Sequence, residues 1–95
     1  MSSEYFSFII NHLTFEEVTI LGILRDEDAT AAFKSMKRSQ VAKEAAFTEA
    51  VFRKVIGKLA ATHFISTVIA GKEHRVYLTD YGQAALDYSL REAIQ

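Results

Sequence analysis

The sequence predicts an α+β fold, mostly helical, with one β-hairpin in its second half. Three observations carry this reading. Phe52, Val55, Ile56 and Leu59 recur at i, i+3, i+4 and i+7, the spacing of a single buried helical stripe. Two runs rich in β-branched residues, 64–69 and 75–79, flank a glycine-containing connection of hairpin length at 70–74. Thr14, Thr48 and Thr79 each stand where a hydroxyl would cap a helix start.

The elements follow in order. A short helix is expected over 4–11, with Phe6, Ile9 and Ile10 on its apolar side. Thr14 then opens a second helix; Glu17, three residues on, completes a capping box, and Leu13 can staple onto Val18. Ile20, Leu21, Ile23 and Leu24 carry that helix to about Arg25, and residues 26–35 read as a connection. Residues 39–45 form a short helix whose Val41, Ala42 and Ala45 make a narrow apolar face. A break falls at Ala46-Phe47, and Thr48 caps the striped helix, which runs from Glu49 to about Thr62. His63 is expected to end it in the left-handed conformation. Beyond the hairpin, Thr79 caps a terminal helix with Leu86, Leu90, Ala93 and Ile94 on its apolar side. No proline interrupts any of these elements.

Two helices joined by a tight turn, the first short and small-residued, describe a helix-turn-helix. With a β-hairpin following at once, the arrangement is a winged helix: a two-stranded wing, and short helices at both ends. From Leu13 to about Leu86 the sequence resembles the bacterial MarR-type winged-helix regulators. The matching residues are Leu13-Thr14, then Ser39-Gln40-Val41-Ala42-Lys43-Glu44-Ala45, Thr48 to Leu59, Phe64-Ile65, and Leu78-Thr79-Asp80-Tyr81-Gly82. The last of these is the most specific. Two features depart from that pattern: His63 replaces a usual glycine, and the terminal helices are short. Lys37 to Ile65 is also similar to the TubR-type plasmid-partition adaptors. That resemblance implies a winged-helix dimer that binds repeated centromere sites and hands them to a tubulin-like filament.

Composition narrows the function classes. The chain has 95 residues, 49% hydrophobic and 24% charged, the balance of one folded domain spanning 1–95 with a modest core. It has no cysteine, which excludes disulfides, thiolate metal sites and a cysteine nucleophile. No apolar run approaches the roughly 18–20 residues of a membrane span, and Met1-Ser2-Ser3-Glu4 lacks the basic start of a signal peptide. A cytoplasmic protein with no membrane partner is expected. His12, His63 and His74 form no metal-ligand set, and no nucleophile–base constellation is present, so no enzyme activity and no cofactor are expected. Tyr5, Phe6, Phe8 and Tyr88 read as core or dimer contacts.

Charge is segregated along the chain. The formal net charge is −1, but residues 1–33 carry −5, residues 34–75 carry +6 and residues 76–95 carry −2. A local basic block steers an anionic partner whatever the net charge. The block coincides with the helix-turn-helix and wing, which makes double-stranded DNA the expected partner. Opposite the buried stripe, the second helix of the motif presents Ala50, Arg53, Lys54, Gly57, Lys58 and Ala61. Its cations suit phosphates, and its small residues leave the approach open. Thr48, Glu49, Ala50 and Val51 would meet base edges if that helix enters the major groove. Lys37 and Arg38, just before the first helix of the motif, and the hydroxyl of Ser39 at its start are candidates for phosphate contact. Lys72 and Arg75 flank the wing, with Glu73 between them.

The expectation is a sequence-specific DNA-binding protein, a transcriptional regulator acting as a homodimer. A plasmid or phage partition or replication adaptor with a partner protein is the alternative. A winged helix used for protein–protein contact is a third reading. Phe6, Ile9, Ile10, Leu86, Leu90 and Ile94 are the apolar surface expected to be spare for the dimer, and the row Ala50, Gly57, Ala61 suits close approach of DNA or of another helix.

Overall fold

The structure is a computed structural model that describes the backbone of residues 13–94 and the side chains of 13–91. The helix expected over 4–11 lies outside the described residues, as do Tyr5, Phe6, Phe8, Ile9, Ile10 and His12, and so do the side chains of Ala93 and Ile94.

The described elements, in order, are α1 (Phe15–Asp26), a single 3-10 turn (Ala32–Lys34), β1 (Met36–Lys37), α2 (Arg38–Ala45), α3 (Glu49–Ala61), β2 (Ile65–Ala70), β3 (Glu73–Leu78) and α4 (Asp80–Ile94). Each begins where local chemistry favours it. Thr14 Oγ1 accepts the Glu17 amide at 3.2 Å, and Glu17 Oε1 accepts the Thr14 amide at 3.0 Å, so the capping box is complete. Thr48 Oγ1 accepts the Val51 amide at 3.3 Å and starts α3.

Helix ends are closed without glycine. Asp28 and His63 both lie at positive φ, 56° and 66°. At the end of α3, the Phe64 amide donates to the Leu59 carbonyl and the His63 amide to the Ala60 carbonyl. At the end of α1, the Ala29 amide donates to Leu24 and the Asp28 amide to Arg25. Both are paired Schellman closures, which satisfy the last carbonyls of each helix and turn the chain inward. Ala46, φ 59°, makes the tight turn between α2 and α3 with no glycine at all.

The sheet is three-stranded and antiparallel in the order β1-β3-β2. The sequence shows only the hairpin; the third strand, β1, pairs Met36 with Val76 and Lys37 with Arg75. Two residues are too few to show a periodicity. The pairing Ala70↔Glu73 leaves Gly71-Lys72 as the whole turn, tighter than the expected 70–74 connection. Gly71 takes φ +65°, the left-handed value that two-residue hairpin turns require. Val76 and Leu78 are buried at the base of the wing, while residues 69–74 project exposed from the body.

The core joins Ile20, Leu21 and Leu24 of α1 to the α3 stripe, to Val41 of α2, and to Phe64, Ile65, Val76, Leu78, Ala85 and Leu86. All four stripe residues of α3 are buried, contributing roughly 1.5–3 kcal/mol each. The terminal helix α4 runs 15 residues, from just after the expected Thr79 cap to Ile94. Leu86, expected as spare apolar surface, is in the core, 1% exposed, because α4 packs on α1. Leu90 remains 36% exposed, and Tyr88 packs against the core.

One knot ties the end of α3 to the start of α4. The Thr79 amide and Oγ1 both donate to the Phe64 carbonyl, at 3.2 and 3.1 Å, and Oγ1 also lies 2.7 Å from the His63 carbonyl. The same Oγ1 accepts the Gly82 amide at 3.0 Å. The fit leaves no room for a side chain at 82: a Cβ there would lie 2.0 Å from the Phe64 carbonyl oxygen. This knot fixes the chain leaving α3 to the start of α4, and so ties the helix that carries the site to the body.

Candidate nucleic-acid interface

The outward face of α3 is as the helical step requires: Glu49, Ala50, Val51, Arg53, Lys54, Gly57, Lys58 and Ala61 are all exposed. Its first half forms one wall of a cleft of about 710 Å³; the start of α2 and the wing form the rest. Six of the residues expected from sequence meet there: Lys37, Arg38, Ser39, Glu49, Arg53 and Lys72. Ala42 and Phe52 supply its apolar floor, and Glu73 and His74 complete its rim. Four cations face two carboxylates, so the cleft suits a polyanion. The Arg38 guanidinium lies 5.8 Å from the centroid of the Phe52 ring, a cation–π contact that holds it at the mouth of the cleft.

The cations differ in how free they are. Lys54 and Lys72 are exposed and form no ion pair among the described residues. Arg53 pairs with Glu49 one turn earlier, at 2.8 Å, with both side chains mostly in water. Lys37 Nζ lies 3.1 Å from Glu73 Oε1. Lys58 does not line the cleft; it points toward α1, 3.1 Å from Glu17 Oε1. Glu17 is 2% exposed, and its Oε2 is buried with no partner among the described residues. Lys58 is therefore the counter-charge of a buried carboxylate as well as a surface cation. Thr48, Ala50 and Lys54 lie outside the cleft lining, toward the middle and start of α3's exposed face.

Arg75 sits two residues back from the turn rather than at the wing tip, and it faces the body. Its Nε donates to Ser35 Oγ at 3.0 Å, and Nη2 donates to the Ser35 carbonyl. Its Nη1 lies 3.1 Å from Glu73 Oε2. The guanidinium thus braces β3 against the segment leading into β1. Hydrogen bonds from Lys37 first, and from Arg75 second, hold the Glu73 carboxyl below the usual glutamate range.

Sequence reasoning missed two of these roles. Glu73, beside the wing turn, is the carboxylate that Lys37 and Arg75 share, and residues 73 and 75 share a strand face, so the period-2 rule makes that pair readable. Glu17 reads as a capping residue only; its partner Lys58 is 41 positions away, with no local signal. Among the described residues no group of His, Asp and Glu would hold a metal ion, and no helix is long and apolar enough to cross a membrane.

No protein-family model matches the chain. DNA-binding protein TubR of Priestia megaterium is 48% identical to it over 88 residues, which is 93% of this chain and 87% of that protein. The solved structure of TubR from Bacillus megaterium pBM400 superposes with a TM-score of 0.89, covering 93% of this chain and 98% of that one. Sco5413, a MarR family transcriptional regulator from Streptomyces coelicolor, is 12% identical, with a TM-score of 0.75 over 96% of this chain and 63% of its own. The MarR-type likeness is thus one of fold. The identity to TubR extends over nearly the whole of both chains, and on that ground the chain belongs to the TubR family.

Proposed function

We propose that this chain is a sequence-specific double-stranded DNA-binding protein, one winged-helix domain over 1–95, acting as a homodimer in the cytoplasm. The observation that carries the reading is the cleft, where the start of α2, the first half of α3 and the wing tip bring Lys37, Arg38, Arg53 and Lys72 to one surface. The first turn of α3, with Thr48, Glu49, Ala50 and Val51, would read base edges while the flanking cations hold phosphate. The relative of 48% identity carries the name of a DNA-binding protein, which supports the same reading. Phe15, 72% exposed, and Leu90 leave apolar surface beyond the cleft that suits a second copy. The reading assigns no catalytic role and no cofactor.

Of the two roles open to such a protein, likeness to TubR favours the partition adaptor over the promoter regulator. A partition adaptor would bind several tandem sites cooperatively and pass them to a filament-forming partner protein. A regulator would occupy one operator. Selection of duplexes from a random pool, followed by binding titrations across salt concentrations, tests both. Steeply salt-dependent binding to tandem repeats is expected. Failure to bind any duplex at low salt would sink the DNA reading and leave protein–protein contact in its place.

A further inference from the structure

Glu73 closes the wing turn and carries a carboxylate split between two cations, one fixed and one free to leave. The fixed one is Arg75, whose guanidinium is also anchored on the Ser35 hydroxyl and carbonyl. The free one is Lys37, 53% exposed, whose ammonium lies 3.1 Å from Glu73 Oε1. Both Lys37 and Glu73 line the cleft. The Glu73 oxygen therefore takes up one donor of the Lys37 ammonium and offsets its charge.

We propose that Glu73 is a specificity-setting residue: an internal competitor that a DNA phosphate must displace from Lys37 before the duplex can settle in the cleft. The inference rests on the DNA-binding reading above. A phosphate contact at Lys37 exchanges one charge-assisted hydrogen bond for another, so it adds little for a duplex that offers phosphates alone. That exchange costs matched and unmatched duplexes alike; what separates them is how the strand is then seated, which the first turn of α3 fixes for a matched duplex. Because Arg75 is braced against Ser35, the carboxylate stays at the rim after Lys37 leaves and continues to repel a poorly seated strand. Glu73 thus weakens binding to unmatched DNA more than to matched DNA.

The test uses the full chain, a selected duplex and a scrambled duplex of equal length, with dissociation constants read by fluorescence anisotropy over a range of salt. Glu73→Gln keeps the size of the side chain and removes the charge; Glu44→Gln removes an equal charge from an exposed position that does not line the cleft. Glu73→Gln is expected to tighten the scrambled duplex by about 3–10-fold near 0.1 M salt and the selected duplex by less. Its salt dependence for the scrambled duplex should steepen by about one phosphate contact. In a Lys37→Met background most of that tightening should vanish. Equal tightening with and without Lys37, or equal tightening by Glu44→Gln, would overturn the exchange and leave a general charge effect. No change in the scrambled duplex would overturn it too. If the unsubstituted chain bound neither duplex, the DNA reading itself would fall, and the inference with it.

Discussion

Alanine at position 82 provides the sharpest test of how the interface is positioned. A Cβ at Gly82 would lie 2.0 Å from the Phe64 carbonyl oxygen, 2.8 Å from its carbon and 2.9 Å from Leu78 Cδ1. The obstacle is backbone, so it cannot swing aside. Ordinary contact begins at 3.4 Å, so α4 would have to withdraw from Phe64 by more than an ångström. The Thr79 amide and hydroxyl bonds to the Phe64 carbonyl, at 3.2 and 3.1 Å, do not survive that movement. Losing two or three such bonds costs roughly 0.5–1.5 kcal/mol each, and loosened packing of Ala85 and Leu86 adds to it. Against this, alanine gains about 1 kcal/mol over glycine inside a helix. The net is a destabilisation of about 2–4 kcal/mol, a large part of the roughly 5–15 kcal/mol of a small domain. Gly57 is the matched control: within the protomer nothing lies within 4 Å of its added Cβ, so Gly57→Ala should stabilise by up to about 1 kcal/mol. Urea denaturation followed by circular dichroism measures both, at one protein concentration. The expected result is opposite shifts of the midpoint at unchanged slope. If Gly82→Ala unfolded at the same urea as the parent chain or higher, the close approach between α4 and Phe64 would be wrong.

Three further outcomes are expected. Lys58→Met should destabilise more than Glu17→Gln, because it leaves a buried carboxylate without its cation, whereas glutamine still accepts the Thr14 amide; urea midpoints at neutral pH give the order. Lys54→Ala should reduce the salt slope of duplex binding by about one phosphate contact while leaving stability within about 0.5 kcal/mol, since Lys54 is exposed and forms no ion pair among the described residues. The Glu73 carboxyl should titrate below the roughly 4.3 of an unperturbed glutamate, because Lys37 and Arg75 favour its charged form. With the folded value depressed, its contribution to stability is present above the unfolded value and is lost as pH falls through the folded one. Carboxyl NMR should show that midpoint move upward in Lys37→Met.

What was legible in the sequence is what depends on near neighbours. The stripe Phe52, Val55, Ile56, Leu59, the Thr14–Glu17 box, the Thr48 and Thr79 caps and the left-handed His63 all rest on spacings of a few residues, and all are found in the structure. The cleft was legible in part, because a helix-turn-helix followed by a hairpin brings residues from 37–39, 49–53 and 72 to neighbouring places in the fold. What escaped depends on pairs far apart in the chain. The β1 strand exists only because Met36 and Lys37 meet Val76 and Arg75. Arg75 reads as a free wing cation until the fold places Ser35 beside it, 40 positions away.

Those distant pairs change what the basic block means. Of the nine bases in residues 34–75, Lys34, Lys37, Arg53, Lys58 and Arg75 each have a carboxylate partner within 3.1 Å. A polyanion can reach a paired cation only by displacing its carboxylate, so the exposure of the acid decides which cations count. Glu17 is 2% exposed and held by the Thr14 amide, so Lys58 could leave it only by stranding a buried charge. Glu73 and Glu49 are 46% and 84% exposed, and water can take over either one. The block of +6 therefore separates into cations open at once, led by Lys54 and Lys72, cations open by exchange at Lys34, Lys37 and Arg53, and Lys58 and Arg75, held for the fold. At an exchangeable cation a phosphate contact is offset by the loss of the carboxylate, so it adds less to affinity than contact at Lys54 or Lys72. Of the exchangeable cations, Lys37 and Arg53 line the cleft together with Glu49, in the first turn of α3.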